Sequence, residues 1–210
     1  MTVNGRTALL GESAETGDTI CVDGKALPVE PARLWIMLNK PRGYVTTLSD
    51  ERGRKTAASL VDCGQRVYPV GRLDMDSEGL LLFTNDGALA NRLMHPRGEI
   101  VKYYEVTVRG ADAESAALLC RPIPLDGRPI APPDVKLLRS AGEKTTFRIG
   151  IHEGRNRQIR RMCEAAGLQV ARLCRVQEGG LSLGSLKAGQ WRYLTAEELR
   201  RLETECGGAV

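Results

Sequence analysis

Apolar residues along this chain recur in three rhythms, and each rhythm predicts a different element. The first is the unbroken run. Leu34-Trp35-Ile36-Met37-Leu38 and Leu80-Leu81-Leu82-Phe83 are short and bounded by turn formers, which predicts strands buried on both faces. Asn39-Lys40-Pro41-Arg42-Gly43 stops the first, and Asn85-Asp86-Gly87 stops the second. The second rhythm is alternation, with Tyr104, Val106 and Val108 set against Glu105, Thr107 and Arg109. Phe147, Ile149 and Ile151 alternate in the same way. A period of two predicts half-exposed strands. Tyr44 to Thr47 is β-branched and aromatic enough to predict another.

The third rhythm is helical. Ile159, Met162, Cys163 and Ala166 fall at i, i+3, i+4 and i+7, and Gly167 supplies a C-terminal stop. Ala88 to Met94 has similar spacing and halts at His95-Pro96. Thr195-Ala196-Glu197-Glu198 reads as a capping box that opens a helix with Leu199 and Leu202. Near the start, Thr2-Val3-Asn4-Gly5 and Thr19-Ile20-Cys21-Val22-Asp23-Gly24 each pair a strand-like piece with a turn dipeptide. That stretch has too few large hydrophobes for a core of its own. Leu27 to Pro31, with two prolines, reads as a linker. Strands outnumber helices and are separated by turns rather than by regular crossovers, so the fold class is α+β.

Composition narrows the class without naming a partner. The 210 residues are 42% hydrophobic and 27% charged, as in ordinary globular proteins. Apolar runs of five residues are too short to span a bilayer, and the N-terminus lacks the pattern of a signal peptide. The expectation is a cytoplasmic protein without membrane contact. Six scattered cysteines form no C-x-x-C pair, and His95 and His152 stand far apart, so the cysteines read as reduced core residues and no metal is expected. The formal net charge of +4 is unevenly placed. The segments 33–55 and 152–175 carry +4 each, which leaves the rest of the chain acidic. Clustered cations suit a phosphate-rich partner, although a solvated basic face is the plainer explanation of charge alone.

Three segments carry chemistry. Val70-Gly71-Arg72-Leu73-Asp74-Met75-Asp76-Ser77-Glu78-Gly79 sets three carboxylates at alternate positions. A calcium loop fails, because Leu-Leu-Leu-Phe follows and Asn85 stands where a bidentate Glu is needed. A carboxylate pair for glycoside cleavage, a lone nucleophilic or basic Asp beside a cation, and a polar turn all remain open. Further on, Arg157, Arg160 and Arg161 share a helical face opposite Ile159, Met162 and Cys163. Their mutual repulsion calls for an anionic partner, and guanidinium groups suit phosphate or carboxylate. Finally, Tyr103-Tyr104 stands out in a chain with nine aromatic residues. A tyrosine at a strand start is usually core, but its ring can also stack on a base.

Five motifs then line up in order: Asn39-Lys40-Pro41-Arg42-Gly43, Pro69-Val70-Gly71-Arg72-Leu73-Asp74, 79–87 (Gly79-Leu80-Leu81-Leu82-Phe83-Thr84-Asn85-Asp86-Gly87), Lys102-Tyr103-Tyr104, and Gly154-Arg155-Asn156-Arg157-Gln158-Ile159-Arg160-Arg161-Met162. Together they resemble the RsuA/RluB/RluE/RluF branch of bacterial ribosomal-RNA pseudouridine synthases, from about Trp35 to about Leu202. The resemblance implies a mixed, mainly antiparallel sheet with flanking helices. It also implies isomerisation of a uridine in ribosomal RNA to pseudouridine, without a cofactor. Asp74 maps onto the family's essential aspartate, Arg160 onto the arginine that pairs with it, and Tyr104 onto the tyrosine that packs on the target base. Arg72 maps onto a position that holds the flipped nucleotide. Lys40, Arg42, Arg155, Arg157 and Arg161 would bind RNA phosphates, fixing register rather than reading sequence. Asp76 and Glu78 would support the loop.

The partner implied is ribosomal RNA or an assembling ribosomal subunit, and the chain is expected to act as a monomer. Residues 1–28 resemble the β half of an alpha-L-type RNA-binding domain whose helices are missing, a truncated remnant. A linker at 29–33, a catalytic domain at 34–205 and a tail at 206–210 complete the expected organisation. Two other functions stay open: an rRNA-binding assembly factor without catalysis, and an N-glycoside hydrolase built on the Asp74, Asp76 and Glu78 cluster.

Overall fold

The structure, a computed structural model, describes residues 1–15, 17–27, 32–95, 100–111, 113–121 and 123–207. Most of the linker at 29–33 and of the tail at 206–210 therefore lies outside the described residues. The chain divides into two units, Met1–Arg33 and Leu34–Val210. In the first, β1 (Thr2–Val3), β2 (Arg6–Thr7), β3 (Ile20–Val22) and β4 (Lys25–Ala26) form a small sheet in the order β2-β1-β3-β4. Its two hairpin turns are the dipeptides expected from sequence. Asn4 and Gly5 have φ of 51° and 79°, and Asp23 and Gly24 have 50° and 75°, the double left-handed pair of a tight hairpin.

The second unit is built on one nine-stranded sheet. Its elements follow in order as β5 (Trp35–Lys40), β6 (Tyr68–Val70), β7 (Glu78–Thr84), α1 (Gly87–Met94), β8 (Lys102–Arg109), α2 (Ala113–Leu119), β9 (Pro124–Leu125), β10 (Arg128–Pro129), β11 (Asp134–Ala141), β12 (Lys144–Ile151), α3 (Gln158–Ala165), β13 (Gln169–Glu178), β14 (Leu181–Ser182), β15 (Trp191–Tyr193) and α4 (Ala196–Gly207). The main strand order is β11-β12-β8-β13-β7-β5-β15, with β6 added to β7 and β14 to β13. Only β7 and β13 pair in parallel; the other pairings between named strands are antiparallel. This is the mixed, mainly antiparallel α+β architecture that the sequence and the family resemblance imply.

The unbroken apolar runs lie where both sheet faces are covered. On one face Ile36, Leu38, Leu81 and Phe83 join Val106, Phe147, Ile149 and the α3 residues Ile159, Met162 and Cys163. On the other, Trp35, Met37, Leu80 and Leu82 meet Leu89 and Leu93 of α1 and Leu202 and Cys206 of α4. Alternate residues of one strand thus feed two cores, which is why β5 and β7 need apolar side chains at nearly every position. Burial pushes the Cys163 thiol up to about 12 and Cys174 up to about 11. Such thiols are poor nucleophiles and act here as packing groups.

Local signals end the helices. The Asp86 side chain accepts from Leu89 N at 3.1 Å to cap α1. At α4, Thr195 and Glu198 form the reciprocal capping box, with Glu198 N donating to Thr195 Oγ1 and Thr195 N donating to Glu198 Oε2. Gly167, with φ of 71°, closes α3 as expected.

The reading fails in three places. Tyr44 to Thr47 forms no strand, only an isolated bridge from Val45 to Thr56, because its polar groups are used to brace a loop described below. The edge strand β11, which no rhythm marked, is almost wholly exposed, Leu137 and Leu138 included. Central β13 carries Arg172 and Arg175, and its alternation is broken by two register shifts. Among the described residues no helix is long and apolar enough to cross a membrane.

Candidate active site

Asp74 sits in the turn between β6 and β7, and three sets of contacts hold that turn. From one side, the 43–46 segment clamps it. Gly43 N donates to Met75 O at 2.7 Å, Thr46 Oγ1 donates to Leu73 O at 2.7 Å, and Leu73 N donates back to Thr46 Oγ1 at 3.2 Å. From the other side, α3 reaches across. Arg157 makes a bidentate contact with Asp76 at 3.1 and 2.9 Å, and Arg160 donates Nη2 to Asp76 O at 2.8 Å while its Nε lies 3.3 Å from the same carboxylate. From below, Arg172 on β13 pairs with Glu78 at 2.7 Å.

The three carboxylates therefore differ. Asp76 and Glu78 are each held by arginine. Burial opposes ionisation of Asp76, but the Arg157 hydrogen bonds and the charges of Arg160 and Arg157 hold its carboxyl below the usual range. The Asp74 carboxylate accepts no hydrogen bond among the described residues, and the nearest cation is Arg157 Nη1 at 3.7 Å. About a third of its side chain is exposed, and it lines a cleft of about 620 Å³.

Across that cleft stands Tyr104 on β8, 8% exposed. Burial raises its hydroxyl above the ordinary phenol value, and the Asp74 charge adds to that rise, while Arg175 opposes it. Its neighbour Tyr103 faces elsewhere, with the Arg148 guanidinium 4.4 Å from its ring centroid. The exposed Arg72 and both histidines of the chain, His95 and His152, also line this cleft.

The basic residues fare less uniformly. Arg160 lies on Asp76, not on Asp74; it sits in the first turn of α3, against the loop backbone, whereas Arg157 precedes the helix with φ of 50° and reaches further. Arg160 therefore fixes the loop that carries Asp74. Lys40 is wholly buried, and its ammonium donates to Pro41 O at 3.0 Å and Tyr44 O at 2.8 Å. A phosphate cannot reach it, so the expected RNA contact is replaced by support of the 41–44 turn.

Arg155 donates to the carbonyls of Leu125, Arg128 and Pro129, clasping the β9–β10 hairpin, and Arg161 makes a bidentate contact with Asp126 at that hairpin's tip. These two arginines hold the hairpin instead of standing open to phosphate. The anionic partner demanded by the arginine cluster is thus mostly intramolecular. Of the basic residues singled out from sequence, Arg42 and Arg72 are exposed with no carboxylate partner among the described residues; Arg42 Nη1 approaches Ala171 O at 3.5 Å.

Sequence reasoning missed several contributors. Thr46 looked like a strand residue, Gln158 is a buried brace whose Oε1 accepts from Arg155 N at 3.0 Å, and Arg175 with Glu178 lies buried beneath Tyr104. One signal was available for the last pair: an arginine two residues after Leu173 in an alternating strand falls on the core face.

Lys40 also gives a pH dependence. Burial pushes its ammonium from 10.5 down to about 8, against the pull of the Asp74, Asp76 and Glu78 charges. The folded chain then holds fewer protons here than the unfolded chain between those values. The stabilising contribution is complete above 10.5 and is lost as pH falls through about 8. Going from pH 7 to pH 10, urea denaturation of wild type should improve relative to Lys40→Met by on the order of 2 kcal/mol. A difference that does not change with pH would show that Lys40 is not titrating there.

The chain is similar to known proteins over most of its length. Residues 34–165 match a family described as RNA pseudouridylate synthase. The chain is 42% identical over 205 residues to ribosomal large subunit pseudouridine synthase B of Bacillus subtilis, covering 95% of this chain and 84% of that protein. It is 41% identical over 191 residues to an uncharacterized RNA pseudouridine synthase of Mycobacterium leprae, covering 89% and 75%. A solved pseudouridylate synthase structure superposes with a TM-score of 0.73 at 29% identity, covering 96% of this chain and 87% of the other.

Proposed function

Because the chain belongs to the RNA pseudouridylate synthase family, within its RsuA/RluB branch, we propose that it converts a specific uridine of ribosomal RNA to pseudouridine, with Asp74 as the essential group and no cofactor. The family makes the chain an RNA-modifying isomerase. In the reaction the N1–C1′ bond breaks, the base turns, and a C5–C1′ bond forms. The proton on C5 leaves and N1 takes one up, so composition does not change. An ionised carboxylate serves either as a nucleophile on C1′ or as a base that draws a proton from the sugar and leaves a glycal.

The observation that carries this reading is the difference among the three loop carboxylates. Asp76 and Glu78 are neutralised by arginines, while of the three only Asp74 lines the cleft, and its carboxylate accepts no hydrogen bond among the described residues. A carboxylate pair for glycoside hydrolysis needs two available groups, and Asp76 and Glu78 are both occupied. Tyr104, opposite Asp74, supplies a ring for the base and assists loss of the C5 proton. Arg72 holds the flipped nucleotide at the cleft, and the exposed Arg42 and Arg72 meet RNA phosphates. The protein acts as a monomer in the cytoplasm, on ribosomal RNA or an assembling subunit.

Pseudouridine mapping in ribosomal RNA from cells lacking the gene tests this reading. One uridine, or a small number, should lose the modification and regain it on complementation with the wild-type gene but not with the Asp74→Asn form. An unchanged map would overturn the substrate assignment.

A further inference from the structure

Beneath the cleft lies a charged pair for which the reaction as outlined has no use. Arg175 and Glu178 on β13 are 2% and 4% exposed. Arg175 Nε donates to Leu80 O at 2.7 Å, and its Nη2 stands 3.5 Å from Glu178 Oε2. Neither of those last two atoms makes a hydrogen bond among the described residues. Lys102 Nζ approaches the other Glu178 oxygen at 3.9 Å. Burying such a pair is expensive, and two well-packed apolar side chains would generally be at least as stable. A buried ion pair with unsatisfied atoms therefore asks for a functional reason.

The strand register supplies one. Arg175 is the direct cross-strand partner of Tyr104 in the β13–β8 ladder. Side chains of such partners share a face and lie about 5 Å apart at Cβ. The register sets the two side chains side by side, the guanidinium charge acts on the phenol, and both residues line the cleft with Asp74. On its far side the guanidinium is anchored to the Leu80 carbonyl and to Glu178, so its planar fork has little freedom to turn.

We infer that Arg175 is a positioning residue for Tyr104: held from below by Leu80 O and Glu178, it fixes the phenol hydroxyl and so the attitude of the ring beside Asp74. Glu178 acts one step further back by keeping the guanidinium in place. The inference rests on the reading of Tyr104 as the residue that packs on the target base and assists loss of the C5 proton.

A double-mutant cycle tests it, with kcat and KM for RNA measured in four proteins: wild type, Arg175→Met, Tyr104→Phe, and the two combined. Arg175→Met should lower kcat by on the order of tenfold to a hundredfold, with KM within about twofold of wild type, as expected when the charged neighbour that orients a buried phenol is lost. In the Tyr104→Phe background the same change should cost less than about twofold, since no hydroxyl remains to be positioned. Arg175→Met alone leaves Glu178 buried without its partner and can unfold the chain. The paired replacement Arg175→Met with Glu178→Met removes both charges and gives the same cycle. Equal losses in both backgrounds would overturn the inference and leave the role of Tyr104 standing. Full activity of Tyr104→Phe would overturn that role and the inference with it.

Discussion

Asp74→Asn should keep its fold and lose its chemistry. The side chain is about one-third exposed, accepts no hydrogen bond among the described residues, and lies 3.7 Å from its nearest cation. Exchanging it for an isosteric amide removes almost nothing from the stability ledger, and a change within about 0.5 kcal/mol is expected. The amide can neither attack C1′ nor take a proton, so pseudouridine formation should fall by at least roughly a thousandfold. Thermal unfolding and single-turnover assay on the same preparation separate the two effects.

Asp76→Asn should behave in the opposite sense. It loosens Arg157 and Arg160 from the loop, so stability falls along with a partial loss of rate. If the Asp76 variant were inactive and well folded while the Asp74 variant stayed active, the roles of the two carboxylates would have to be exchanged.

Gly79→Ala should be the most damaging small substitution in the catalytic unit. Gly79 lies in the parallel pairing of β7 with β13, opposite Arg175, and its φ is 107°. A Cβ there would meet the Arg175 backbone, with the amide nitrogen at 2.7 Å and the carbonyl oxygen closer still. Backbone cannot swing aside as a flexible side chain can. The β7 and β13 strands must separate, or Gly79 must leave a conformation that L residues rarely adopt. A loss of roughly 4 kcal/mol or more is expected from the clash and the strain together, enough to leave little folded protein. Denaturant titration of the soluble fraction checks it, and near-wild-type stability would mean that the two strands can part without cost. The consequence reaches the site directly, because this crossing sets Arg175 under the cleft and starts the strand that follows Asp74.

How much of this was legible in the sequence depends on what each residue faces. The runs at 35–38 and 80–83 were legible because burial on both faces leaves no room for polar residues. The helix at 158–165 and the Thr195–Glu198 capping box were legible because spacing and caps are local. Strand β13 was not, since an arginine that is buried against a carbonyl and a glutamate looks identical in sequence to one that is solvated. Nor was Val45, whose neighbours spend their hydrogen bonds on a loop nearly 30 residues away.

For the site, sequence and family resemblance brought Asp74, Tyr104 and Arg72 into one list, and all three line one cleft. They misplaced Arg160, Arg155, Arg161 and Lys40, because a charged side chain declares its chemistry but not its partner. Those partners (Asp76, the β9–β10 hairpin and the 41–44 turn) are tertiary neighbours that no local pattern records.

The most direct test of the central claim follows the hydrogen on C5. In ribosomal RNA carrying tritium at C5 of uridine, label passes to water when the C5–C1′ bond forms and the C5 proton is lost. The purified protein should release tritium while producing no free uracil and leaving the RNA chain intact. Retention of the label, or release of uracil with an abasic site left behind, would contradict the isomerase reading of Asp74 and its cleft.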